Sequence, residues 1–270
     1  MIEPQIKEEI IKRLKATEKE HDVRILYACE SGSRAWGFAS PDSDYDVRFI
    51  YMHTRDWYLT FDVERQRDVI EYPIVDEIDC GGWDIRKALY LFTRTNGALL
   101  EWLNSPVKYI EHGEFAENLR SFVPKAMNST ALCYHYSHMA RRNAREYLFK
   151  DQVRLKKYFY VLRPLLAIRY IEKSNTAPPV EFEKLVHAVA PKEIHSGIEK
   201  LLVLKRNSPE VGLGSPIPEI NTFIESEVER HGEAFKGQGR PDLLTKKDIR
   251  NELNRIFQSA IDGQPSESTI

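Results

Sequence analysis

Cysteine is scarce in this chain. The three, Cys29, Cys80 and Cys133, are far apart and odd in number, which argues against a disulfide framework and leaves reduced thiols as the expectation. No Cys-x-x-Cys pair offers a structural zinc site. No apolar run is long enough to span a bilayer, and the opening Met1-Ile2-Glu3-Pro4-Gln5 lacks the apolar stretch of a signal peptide. A cytoplasmic protein without a membrane partner is therefore expected. An excess of one charge is lacking too: 39 Lys and Arg stand against 41 Asp and Glu, a formal net charge of -2, which speaks against a protein that holds nucleic acid by bulk positive charge. No internal repeat is evident.

What the chain does have is concentrated between residues 30 and 51. A small-residue turn at Gly32 and Ser33 is followed by a second turn, Ser40-Pro41-Asp42-Ser43, and then by an apolar run carrying two alternating carboxylates, Asp44 and Asp46. A strand sends successive side chains to opposite faces, so Asp44 and Asp46 share one face while Tyr45, Val47, Phe49 and Tyr51 bury the other. Two carboxylates held so close repel unless a cation lies between them. Carboxylate and phosphate oxygens together suit Mg2+ or Mn2+. A pair of such ions, roughly 3.5 to 4 Å apart, stabilises the attacking and leaving oxygens of an in-line phosphoryl displacement. The turn before the carboxylates supplies donors. Val23 to Cys29 reads as a buried strand, and backbone N–H groups at a strand-to-helix junction beginning at Gly32 point at a bound anion. Ser33 adds a hydroxyl and Arg34 a guanidinium fork.

The ordered set resembles the DNA polymerase beta-like nucleotidyltransferase superfamily, whose pattern is an apolar strand, Gly-Ser, about ten residues and then Asp-x-Asp on a second strand. Gly32-Ser33 and Asp44-Tyr45-Asp46 match it. The longer wording, from Gly32-Ser33-Arg34-Ala35-Trp36-Gly37 to Ser43-Asp44-Tyr45-Asp46-Val47-Arg48, looks like one branch, the nucleotidyltransferases of the RlaP or YcgL type. Trp83 to Leu89, Asn96 and Leu100 to Pro106 extend the likeness over most of the first 110 residues, and more loosely into Lys156, Lys157, Tyr158 and Arg163. The resemblance implies an α+β fold: a small mixed-sheet nucleotidyltransferase core followed by an α-helical domain. It implies transfer of a nucleoside monophosphate from a nucleoside triphosphate such as ATP, with RNA repair as a setting. The acceptor would be an RNA end or a protein hydroxyl. Asp44 and Asp46 would be catalytic and metal-binding, and Gly32, Ser33 and Arg34 would hold the β- and γ-phosphates. A nucleotide sensor that keeps the cradle without turnover is the competing class.

Members of the superfamily use a third carboxylate on a neighbouring strand. Residues Val69 to Asp79 alternate loosely and end in Asp76-Glu77-Ile78-Asp79. A strand ending near 79 places Asp79 closest to the third position. Asp84 is the reserve, with Asp76 and Glu77 behind it. Asp84 has a competing use, since it precedes the i, i+3, i+4, i+7 set Ile85, Ala88, Leu89 and Phe92 and reads as the N-cap of a helix.

A basic strip runs from Arg141 to Arg169, preceded by Tyr136 and interleaved with Tyr147, Tyr158, Phe159 and Tyr160. Leu155, Tyr158, Phe159, Leu162 and Leu166 fall at helical spacing and read as core, and Pro164 should kink or restart that helix. The strip could clamp a triphosphate or guide an RNA backbone, or be a solvated face. In related nucleotidyltransferases a helical domain grips the base and the acceptor, and the resemblance implies that Lys156, Lys157 and Arg163 face the nucleotide across a cleft. The organisation expected is a nucleotidyltransferase domain over 1–120, a helical domain over 121–261 and a flexible tail over 262–270.

Overall fold

Helix α1 (Pro4–His21) begins with proline in its first turn, where no intrahelical donor is required, and buries Ile10 and Leu14 against one face of a sheet. The computed structural model describes residues 2–207, 212–234, 243 and 246–263. Five strands, β1 (Arg24–Glu30), β2 (Tyr45–Met52), β3 (Val69–Glu71), β4 (Ile78–Asp84) and β5 (Lys108–Glu111), make a mixed sheet in the order β3-β4-β2-β1-β5. β2 and β4 are parallel, and the other neighbours are antiparallel. The α+β class expected from the sequence is the class observed.

The strand period sorts the central strand as expected. Tyr45, Val47, Phe49 and Tyr51 join Ile10 and Leu14 under α1. The opposite face is covered by α4 (Ile85–Thr93), α5 (Gly97–Leu103), α6 (Phe115–Ala126) and α12 (Lys247–Asp262), which bury Ile50 and Met52 at the far end of β2. At the near end that face carries Asp46 and Arg48, both only partly buried. The functional segment thus lies where the helical layer leaves the sheet uncovered.

The strand expected over 69–79 is broken in two. Pro73 stops β3, the chain turns through Asp76 and Glu77 with φ of 50° and 63°, and β4 starts at Ile78. Asp79 is therefore near the start of a strand rather than at the end of one. A helix not expected from the sequence, α6, runs through Ser121 and keeps Pro124 in its last turn, so position 120 lies within a helix.

The remaining helices are α2 (Gly32–Ala35), α3 (Arg55–Tyr58), α7 (Ser129–Tyr147), α8 (Lys157–Ser174), α9 (Phe182–Val189), α10 (His195–Asn207) and α11 (Pro218–Ala234), with β6 (Val153–Arg154) and β7 (Leu213–Gly214) forming a small ribbon. Asn128 caps α7 by accepting from the Ala131 amide at 2.8 Å. α8 continues through Pro164. Tyr158, Phe159, Leu162 and Leu166 are buried, and Phe38 stacks on Phe159 at 4.5 Å, which ties the loop after α2 to α8. Of the tail expected to be flexible, Asp262 ends α12, Gly263 follows it, and 264–270 lie outside the described residues. The three cysteines are buried free thiols, with burial pushing Cys80 up to about 11 and Cys133 up to about 12.

Candidate active site

The turn from β1 into α2 closes onto β2 through the Ser31 amide, which donates to the Asp46 carbonyl at 2.8 Å. Gly32 follows with φ +59°, and a Cβ placed on it would fall 1.9 Å from Asp46 Oδ2. Only glycine lets the backbone approach the carboxylate so closely. Gly32→Ala is expected to lower stability by roughly 1–3 kcal/mol and to displace Asp46, since both the conformation and the contact are lost. Urea unfolding measures this, and an unchanged midpoint would exclude the close packing.

Asp46 lies directly opposite Asp79 in the parallel pairing of β2 with β4. Burial pushes the Asp46 carboxyl above the ordinary aspartate range; Arg48 opposes this, while the charges of Asp79 and Asp44 add to it. Asp44, one position before β2, is exposed. Asp44 and Asp46 also act on Tyr160 of α8, whose phenol is raised by burial and then by these two carboxylates. Tyr160 therefore lies within electrostatic range of the carboxylates.

Arg48 stands between Asp46 and Asp79. Its Nη2 donates to Asp79 Oδ2 at 2.6 Å and to Asp46 Oδ1 at 3.3 Å, and its Nη1 donates to the carbonyls of Asp79 at 2.8 Å and Val47 at 3.0 Å. Among the described residues, no group of three or more His, Cys, Asp or Glu is arranged to hold a metal ion. As a set of three, the carboxylates do not fit an ion: the guanidinium is where one would lie between Asp46 and Asp79. Asp44 and Asp46 remain as a hard-oxygen pair beside the Gly32 turn, and that pair has the donor chemistry for one ion shared with a phosphate.

Glu30 is a further carboxylate at this site that sequence reasoning missed. It is fully buried at the end of β1, accepts from the Asp46 amide at 2.9 Å and from the Tyr109 hydroxyl at 2.5 Å, and burial pushes it up to about 7. A carboxyl raised from 4.5 keeps its proton in the folded chain after the unfolded chain has lost it. Its contribution to stability is thus present below about 4.5 and is lost as pH rises towards 7. Glu30→Gln should flatten that slope in thermal melts between those pH values. An unaltered slope would exclude Glu30 as its source.

The other expected residues divide. Lys157 lies over the rings of Tyr147 at 4.1 Å and Tyr160 at 4.9 Å, and burial followed by the charge of Lys156 lowers its pKa. Lys156 precedes α8 and Lys157 opens it, one turn before Tyr160. Ser33 lies in α2, beside Gly32. Arg34 is engaged locally: it donates to the carbonyls of Ser43 at 2.6 Å and Asp44 at 3.2 Å and stacks on Tyr45, so it shapes the carboxylate segment. Arg163, expected to face the nucleotide, is turned to an internal partner. It is buried, donates to Glu101 Oε1 at 2.9 Å and lies 4.4 Å from the Trp36 ring. Asp84 caps α4 by accepting from the Arg86 amide at 2.8 Å and also accepts from Tyr58 at 2.7 Å. Five residues along β4 from Asp79, it is about 16 Å away, so Asp84 is not the third carboxylate of this cluster.

Arg48 was legible in principle, since period two puts it on the face of Asp46. Glu30 carried only the signal of an acidic residue closing an apolar strand. Tyr109 and Tyr160 carried none, because pairing and packing bring them from distant positions.

A family model described as the RNA repair pathway DNA polymerase beta family, RlaP, matches residues 6–259. The uncharacterized protein YcgL of Bacillus subtilis (strain 168) is 48% identical over 258 residues, which cover 95% of this chain and 97% of that protein. A nucleotidyltransferase-like protein from Exiguobacterium sibiricum 255-15 aligns in structure over 94% of this chain and 90% of its own, at 10% identity and a TM-score of 0.30. The family match supports a general nucleotidyltransferase role. With Gly32 closing on Asp46 and a family match over nearly its whole length, the chain belongs to the RlaP family, the RNA repair pathway family of DNA polymerase beta type.

Proposed function

We propose that this protein transfers a nucleoside monophosphate from a nucleoside triphosphate to an acceptor hydroxyl. In that step the acceptor oxygen bonds to the α-phosphorus, the bridge to the β-phosphate breaks, pyrophosphate leaves with the electron pair, and the hydroxyl's proton passes to solvent water. The strongest support is the placement of Asp46: against the Gly32 turn, beside Asp44 and opposite Asp79. Asp44 and Asp46 would hold Mg2+ or Mn2+, which when bound neutralises charge on the triphosphate and its leaving group.

The chain's own groups do the rest. The amides of the Gly32-Ser33 turn and the Ser33 hydroxyl donate to the terminal phosphates, and Lys156 and Lys157 offset their charge from α8. Tyr160 offers the nucleotide a partly exposed ring within electrostatic range of the carboxylates. The family description makes an RNA end the first acceptor to test, with a protein hydroxyl second. Incubating the protein with each α-labelled nucleoside triphosphate, Mg2+ or Mn2+, and either RNA or a cell lysate should move label and release pyrophosphate. Binding of a nucleotide with neither product would overturn the reading.

One observation favours the competing class. Asp79 is held by Arg48 rather than left open, as a nucleotide sensor without turnover would have it. The same incubation separates the two.

A further inference from the structure

The Asp46/Asp79 pair is tolerated here by a cation that the chain itself supplies. Parallel register sets the two carboxylates opposite one another, and period two returns Arg48 to the same face one step further along β2. Its guanidinium is fastened at four points, to the carboxylates of Asp46 and Asp79 and to the carbonyls of Val47 and Asp79. Two carbonyl bonds on Nη1 fix the plane of the fork, so Nη2 is aimed between the carboxylates by backbone geometry and not only by their charge. The side chain is 22% exposed, and those of Asp46 and Asp79 are 29% and 32% exposed, so the pair is partly desolvated and its attraction is only partly screened.

We propose that Arg48 is the resident counter-ion of Asp46 and Asp79 and takes the position of a second divalent cation, so that this site binds one metal ion, through Asp44 and Asp46, where the two-metal scheme requires two. This refines the nucleotidyltransferase reading, on which it rests for the identity of the site. Asp79 then acts as a positioning residue: it orients Arg48, and through it Asp46, without touching the ion. The arrangement keeps the carboxylate cluster in place without metal, because charge neutralisation is built in before any ion arrives. Arginine suits the task, since its charge persists at every working pH and its planar fork serves two acceptors at once.

Counting the Mn2+ retained with the protein in equilibrium dialysis, with inorganic tripolyphosphate on both sides of the membrane, reads this directly. The metal-free protein and its Arg48→Met and Asp79→Asn variants are compared. Arg48→Met should bind one more Mn2+ per chain than the unaltered protein, because the freed carboxylates then take an ion. Without metal its melting temperature should fall by roughly 5 °C, and Mn2+ should recover most of that loss. Asp79→Asn should leave the ion count unchanged. The proposal is overturned if Arg48→Met gains no ion, or if Asp79→Asn loses one. Should Arg48→Met fail to fold, the Asp79→Asn count decides alone. The readout is a difference between variants, so it holds even if label transfer fails, and failed transfer with an extra ion in Arg48→Met would count against the reaction and not against Arg48.

Discussion

Replacing Asp44 and Asp46 together by alanine is expected to abolish nucleotidyl transfer, by about three orders of magnitude or more, and to leave the fold intact. The loss follows from removing both hard-oxygen donors proposed to hold the ion, whose stabilisation of the transferring phosphoryl group is worth several kcal/mol. The fold survives because neither side chain belongs to an apolar cluster. Burial, with the charges of Asp79 and Asp44, already disfavours the Asp46 carboxylate, so its removal relieves a cost. Arg48 keeps Asp79 and two carbonyls as acceptors. Label transfer and thermal melts on one preparation test both halves, with the acceptor that the unaltered protein labels. Activity surviving in the double variant would remove these carboxylates from the mechanism, and a collapsed melt would show them to be structural.

Arg163→Met should cost roughly 3–5 kcal/mol of stability, the largest effect expected from a single substitution here. Glu101 is the reason. Its carboxylate accepts from Arg163 at 2.9 Å, from Tyr136 at 3.1 Å and from the Trp36 indole at 3.4 Å, joining α5, α7, α8 and the end of the Gly32 turn. The Arg163 and Glu101 side chains are 4% and 13% exposed. Methionine fills much of the arginine volume but leaves a buried carboxylate without its counter-charge. Adding Glu101→Gln should recover a good part of the loss, since the stranded charge is then gone. Urea unfolding of the two single variants and the double reads the coupling. A single variant within about 1 kcal/mol of the unaltered protein would refute the account.

Arg163 also shows where reading by sequence stops. It stood in a basic strip, and nothing local distinguishes a cation that faces a ligand from one that faces a buried glutamate. Here the partner comes from α5, 62 positions earlier. Asp84 went the other way: its N-cap role was written in the four residues that follow it, and the hydrogen bond to Arg86 is there. The alternation from Val69 to Asp79 runs across what is a turn, and Pro73 is the residue that ends the strand there. Yet Asp79 still arrives opposite Asp46, because parallel pairing starts β4 just before it.

By itself the sequence determined what local periodicity and turn chemistry control. These were the Gly32 turn, the buried face of β2 and the N-cap of α4. The tertiary structure alone decided what each charge meets. Parallel register, a property of two strands and not of either, set Asp79 opposite Asp46, and strand packing brought Tyr109 to Glu30. The approach of α8 brought Tyr160 within electrostatic range of the carboxylates, and the same assembly put Arg48 between two aspartates. A charge's role depends on its neighbours within a few ångströms, and those come from segments whose separation along the chain carries no trace of their meeting.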